Sequence, residues 1–385
     1  MYKFRILFIL MLLLLPTFTF GASKVPLTRE FPAIIDSVEA LGMGNAYYGV
    51  SSNKFASFYN PAALKYVPRT TVDIFPLTLG VNQDTISNGS KGYNIITKNS
   101  GSLDDPKVIS DLINAFLGKY ITISPINFFP AFTKKNLSVG IFTGNEINLI
   151  AYNKVLPELA MRVKSDTGVA FSYATQFLDD ESLSLGFTVK GLYRINFTKA
   201  YNAVELAGVF DTDSQQFRNF KNEITEEGMG FAILASVGIT YDVPSFEIAA
   251  LDYLNPRIGL SFNDFGYQNF GRLMEDIDPT LNLSIGISPQ LTDFLRGDLF
   301  IEFHDIFVMA GEDKSFTKRF HVGAQLSFWD RLFIRAGLNQ GYPTAGLGVD
   351  IKFLRLNYAF YGEELGAYGG QKADWRHAVE LTFGF

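Results

Sequence analysis

Cysteine is absent from the 385 residues, which removes disulfides, thiolate metal sites, Cys nucleophiles and an acylated N-terminal Cys anchor together. Histidine is scarce, with His304, His321 and His377 alone, and Trp occurs twice. An excess of positive charge is also missing. The 33 Lys+Arg against 39 Asp+Glu leave a formal net charge of -6, and without a basic face the chain does not suit a phosphate backbone, so nucleic acid is not expected as a partner. Beyond the N-terminus no apolar run approaches the ~20 residues that a membrane-spanning helix needs.

The chain is nevertheless 47% hydrophobic and 15% aromatic, with Phe 37 and Tyr 18. That load fills either a large soluble core or the lipid-facing band and interfacial girdles of a β-barrel, and composition does not choose between them. Residues 1–22 read as an export signal. Lys3 and Arg5 precede the apolar run from Ile6 to Leu15, followed by Pro16 and the small residues Gly21 and Ala22. Retention of this segment as an anchor is the alternative, and Pro16 cuts the run too short for it.

Strand periodicity dominates the remainder. Trp375, Val379, Leu381, Phe383 and Phe385 share one face, opposite Arg376, Glu380, Thr382 and Gly384, the period-2 spacing that sends successive side chains to opposite sides of a sheet. The alternation recurs at 183–190, 281–288, 320–328, 332–339 and 345–352. Further strands are expected at 70–80, 120–132, 137–152, 156–163, 168–177, 230–241 and 256–263, for a total of about fourteen, within the range of bacterial barrels. A β-sandwich alternates as well, but two features favour a transmembrane antiparallel barrel. Tight joints at 329–331 and 352–354 alternate with long polar ones at 264–280, 310–318 and 362–374. The chain also ends on Phe385, a terminal aromatic that resembles the signal read by the barrel assembly machinery. With Phe385 at the periplasmic rim, both termini are periplasmic and the 339–343 joint and the long joints face outward. Asp105–Leu117 carries apolar residues at i, i+3, i+4 spacing and is expected to be a short amphipathic helix.

Between signal and barrel, residues 23–68 lack sustained alternation. They contain LGMGNAY (41–47) and FYNPAAL (58–64): Gly42 and Gly44 permit close backbone approach, and Pro61 imposes a turn after Asn60. This pair of blocks resembles the N-terminal hatch of the FadL family of outer-membrane long-chain fatty-acid transporters, and more closely its PorV-like and uncharacterised spirochaete relatives. The run RLFIRAGLNQGYPTAGLGVDIK (331–352) and the final strand resemble the end of the same group's barrels. The resemblance implies an outer-membrane barrel spanning 69–385, plugged by a hatch at 23–68 that includes Gly42, Gly44, Asn60, Pro61 and Ala62. It further implies hydrophobic ligands such as fatty acids, with lateral exit into the outer-membrane lipid. The alternative is a non-transporting barrel of the PorV-like kind that docks secreted or periplasmic partners, for which the Phe197–Met229 insertion is the candidate surface.

Residues that carry chemistry are few. Ser327 lies too far along one strand from His321 to form a Ser-His pair, so no enzyme, cofactor or metal is expected. Glu302, Asp305, Glu312 and Asp313 read as a solvated outer rim, and His377 as an interfacial residue. Inward Asp350, Lys352, Arg376 and Glu380 read as ion pairs with one another and with the plug. Arg335 and Arg355, also inward, are the candidates for holding a ligand carboxylate. Phe385→Ala is expected to lower the amount of folded protein recovered in the outer membrane, measured by heat-modifiable gel migration, while total synthesis is unchanged.

Overall fold

The computed structural model describes residues 33–99, 103–153, 157–178, 180–244, 248–272, 274–310 and 315–385. The expected export signal, the start of the expected hatch, and Glu312 and Asp313 lie outside them. The strands are β1 (Thr71–Asn82), β2 (Tyr120–Phe128), β3 (Ala131–Lys134), β4 (Leu137–Tyr152), β5 (Glu158–Phe177), β6 (Leu183–Asn202), β7 (Met229–Asp242), β8 (Pro256–Asn269), β9 (Thr280–Ile287), β10 (Gln290–Thr292), β11 (Leu295–Phe303), β12 (Phe320–Phe328), β13 (Leu332–Asn339), β14 (Tyr342–Ile351), β15 (Leu354–Glu364) and β16 (Ala373–Gly384). Each pairs antiparallel with its neighbours, β16 returns to β1, and the sheet closes. Because β2 and β3 share one position between β1 and β4, and β10 continues β9 along β11, the sixteen elements make fourteen wall strands.

Closure satisfies the backbone ladder with no free edge, the condition for crossing hydrocarbon. The outward face matches that solvent, with Ile141, Val169, Phe187, Ile233 and Leu347 all exposed. Aromatic pairs mark both rims: Phe294 stacks on Trp329 at 5.3 Å where the turns are short, and Phe360 on Trp375 at 5.2 Å where the loops are long. The inward face is polar and buried, as at Ser184, Thr188, Lys190, Asn282, Arg335 and Glu380. His377 lies outward, 2.8 Å from the Tyr358 hydroxyl.

The total of fourteen agrees with the sequence reading through two compensating differences. Residues 158–163 and 168–177 are not two strands but parts of the single twenty-residue β5, and 295–303 is an additional strand, β11; 354–364, between the joints read at 352–354 and 362–374, is β15. Joint lengths follow the expected parity with exceptions on both sides. Gln340 and Gly341, both with positive φ, make a tight hairpin turn among the long loops. On the short-turn side the β7–β8 joint carries the helix Ala249–Leu254.

In chain order the helices are α1 (Val38–Gly42), α2 (Gln83–Lys98), α3 (Pro106–Ala115), α4 (Ala203–Phe210), α5 (Gln215–Glu227) and α6 (Ala249–Leu254). Helix α3 is the amphipathic segment expected at 105–117. Asp105 caps it, accepting from Lys107 N at 2.8 Å, and Pro106 opens its first turn. The Phe197–Met229 insertion is not an open loop: β6 runs on to Asn202, and α4 and α5 follow. These helices fold over the outward face of the long-loop rim, where Phe220 packs against Phe197 and Tyr201 at 5.6 and 6.4 Å. Leu347→Arg, which puts a charge on the lipid-facing side of β14, is expected to destabilise the barrel by ~2–4 kcal/mol if Leu347 sits near the bilayer midplane, measured by denaturant unfolding in vesicles. The inward Thr344→Arg is expected instead to disturb packing inside the lumen.

Candidate functional site: the filled lumen and the interrupted seam

Residues 33–68 lie inside the barrel, held there by their own turn chemistry and by the wall. Ser37 caps α1, Asn53 caps the turn Lys54–Ser57, and Asn60 caps the turn Pro61–Tyr66, accepting from Ala62 N at 3.0 Å. The Asn60 side chain also donates to the Ile239 carbonyl on β7 at 3.2 Å. One residue therefore ends the turn and ties it to the wall, and Pro61, whose ring supplies the helical φ and needs no partner for an N–H, follows it.

All five residues expected in the hatch motif meet the wall. Gly42 faces Gly346 so closely that a Cβ on either would come within 2.9 Å of the other's Cα, and its carbonyl accepts from Thr344 Oγ1 at 3.1 Å. Gly44 has φ +66°, and a side chain there would strike the Val322 and Leu338 backbone. Its carbonyl lies 2.8 Å from His321 Nδ1. Pro61 and Ala62 lie on Gly186, the Ala62 carbonyl accepts from Ser184 Oγ at 3.1 Å, and Asn60 lies over Gly238.

Charge completes the attachment. Glu302, expected at a solvated rim, is fully buried and accepts from Tyr47 N (2.9 Å), Gly49 N (3.0 Å) and Ser284 Oγ (2.7 Å). Its inward position on β11 faces protein rather than water. Asp305 is likewise buried, paired with Arg319 at 3.1 Å. Lys54 bridges Asp73 and Glu380 at 3.2 and 3.3 Å. Burial holds its ammonium below the usual lysine range, with Glu380 pulling the other way. Buried charges are tolerated only when partnered in this way.

Two cavities in the lumen lie among the described residues. One of about 130 Å³ on the long-loop side is lined by Ile34, Asp36, Tyr48, Asp264 and His304. The other, about 290 Å³ on the short-turn side, contains both Arg335 and Arg355. Each of these arginines already faces a carboxylate: Arg335 lies 3.6 Å from Glu39 and also bonds Gln325 and Asn357, while Arg355 pairs with Asp73. Phe385, the third kind of residue singled out, exchanges backbone hydrogen bonds with Val72 at 2.7 and 3.1 Å, where the barrel closes.

The longest interruption of the described ladder lies between β2 and β4. Pairing stops at Ile123–Ile147 and resumes at Phe128–Thr143, so four residues (124–127) oppose three (144–146). A bulge of this kind inserts one extra residue, and Pro125 has no N–H to give the ladder. Pro76 on β1 and Pro130, just before β3, lie in the same sector. On the inner side of this seam an apolar cluster lies beside charged groups, among them Glu146, 3.7 Å from Arg376. Phe58 meets Phe142 and Phe129 edge-on at 5.0 and 5.3 Å, Ile34 packs on Gly144, and the Lys164 ammonium donates to the Ala33 carbonyl. Sequence reading missed the seam, although Pro125 inside a strand was a visible sign of it, and it placed Glu302 at a solvated rim instead of against the lumenal segment.

No family model and no curated protein matches the chain. Solved structures do show similarity. The Pseudomonas putida toluene transporter TodX covers 92% of this chain and 99% of its own at 11% identity and TM-score 0.48. The CymD monoaromatic hydrocarbon channel (10%, TM-score 0.46) covers 92% and 98%, and the Ralstonia pickettii toluene transporter TbuX (12%, TM-score 0.43) covers 92% and 99%. The barrel itself rests on the strand pairing described above.

Glu302→Ala removes an acceptor shared by three donors. At ~1.5–3 kcal/mol for a hydrogen bond to a charged group, the lumenal segment is expected to loosen, read as a rise in single-channel conductance in planar bilayers.

Proposed function

We propose that the chain is a FadL-type outer-membrane channel for small hydrophobic molecules, long-chain fatty acids among them. Residues 23–68 serve as the hatch that stops water, and the β2–β4 seam serves as the lateral exit. The observation that carries this reading is the coincidence of two features: the longest gap in the described ladder stands beside an apolar cluster of the lumen that includes Ile34, Phe58, Phe129 and Phe142. An apolar solute gains from leaving water along such a lining, and a seam with fewer backbone bonds opens at lower cost than a fully paired one. A hatch bonded to the wall on many sides keeps ions out meanwhile. Arg335 and Arg355 would receive an acidic headgroup only by exchanging it for Glu39 or Asp73.

Partner docking through 197–229 has less support, because Phe220, one of its aromatic residues, is used in packing α5 onto the chain's own wall. Deleting Pro125 removes the extra residue and restores a continuous register. Uptake of labelled fatty acid or toluene by cells carrying the variant is expected to drop to the level of cells without the protein, while heat-modifiable migration persists. Undiminished uptake by this folded variant refutes the lateral route.

A further inference from the structure

Outside the wall, at the long-loop rim, helices α2, α3 and α4 enclose a cavity of about 350 Å³ against the outward faces of β2, β4 and β5. Its volume is within the range of small-molecule pockets, roughly 300–1,000 Å³. The lining includes Ile109, Leu112, Ile123, Leu149 and Phe210. The hydroxyls around it belong to Thr85 and Tyr93. That of Thr85 is bonded to Asn82 Oδ1 at 2.6 Å and the Thr122 carbonyl at 3.1 Å, and the Tyr93 residue is 68% exposed. Nothing in the lining asks for a polar ligand.

Two glycines in α2 sharpen the point, since each costs about 1 kcal/mol against Ala in a helix interior. Gly92 has a packing reason, because a Cβ there would come within 2.8 Å of the Phe116 ring. Gly89 has none: no atom lies within 4 Å of where its Cβ would stand, and the residue borders the cavity. Its missing side chain leaves space open. The floor of the cavity is also placed to matter. Ile123 is the last β2 residue paired with β4 before the seam, and it shares the outward face with the exposed Ile141. Apolar surface therefore runs from the lipid-facing band along β2 through the exposed Ile126 to the space under the helices, beside the polar Asn145–Ser165 pair of the seam.

We propose that this cavity is a second hydrocarbon site, on the outer surface of the wall beside the seam, and that it takes an unbranched chain or small ring already dissolved in the membrane. The site stands on its lining. Only its link to traffic through the seam rests on the channel reading.

The test uses the full chain in lipid vesicles with a diazirine-bearing straight-chain hydrocarbon, photolysed and mapped by mass spectrometry. Peptides covering α2 and α3 are expected to be labelled above outward-facing peptides of β13 and β14. Gly89→Phe, which fills the space from a position where a Cβ meets nothing, is expected to lower that labelling about tenfold, equivalent to ~1.4 kcal/mol. Gly89→Ala is expected to retain most of it, and heat-modifiable migration of both variants checks that they fold. Labelling of α2 and α3 no higher than the general wall, or undiminished in folded Gly89→Phe, overturns the second site. Labelling at Ile34 and Phe142 reports on the lumen separately: if it is absent while α2 and α3 are labelled, the second site stands and the channel reading falls.

Discussion

Hydrocarbon offers no hydrogen-bonding partner, so every N–H and C=O that crosses it must be answered by the protein itself. The closed ladder from β1 round to β16 meets that demand, and the rest of the molecule is arranged around it. Strand side chains must alternate between lipid and lumen. A lumen of this width must then be filled or left to water, and here residues 33–68 fill it. The lumen's polarity follows from what fills it: backbone amides at Tyr47 and Gly49 need acceptors, and Glu302 supplies them.

Inward glycines are the counterpart of that polarity. At Gly186, Gly337 and Gly346 the wall has no side chain where the lumenal backbone passes. The two surfaces therefore meet main chain to main chain, and contacts of this kind depend less on side-chain identity than on register. Asn60 illustrates the consequence, since its one amide group caps a turn and bonds a wall carbonyl.

Much of the barrel was legible because its signal is local and repeated: 137–152 coincides with β4, and the faces assigned at 320–328 and 332–339 are those observed. What was illegible is what periodicity does not encode. Lys164, Ser165 and Asp166 interrupt the apolar alternation of β5, because there the inward Asp166 serves the buried Arg194, so one strand read as two. Glu302 was read as part of a solvated rim, because nothing local in the sequence distinguishes a carboxylate that meets water from one that meets the amides of a plug. The blocks around Gly42 and Asn60 were readable as special, since glycine and Asn-Pro restrict the backbone in recognisable ways, whereas their wall partners are distant in sequence.

A ring joined evenly all round resists deformation equally in every direction, but among the described residues this ring is interrupted most widely at the β2–β4 joint. Thermal fluctuations of the cross-section must gather at residues 124–127, where side-chain bonds from Asn127 and Asn145 replace part of the ladder. Lateral pressure from the surrounding bilayer acts on the same joint, so on the proposed lateral route the thickness and tension of the membrane become mechanical inputs to its opening.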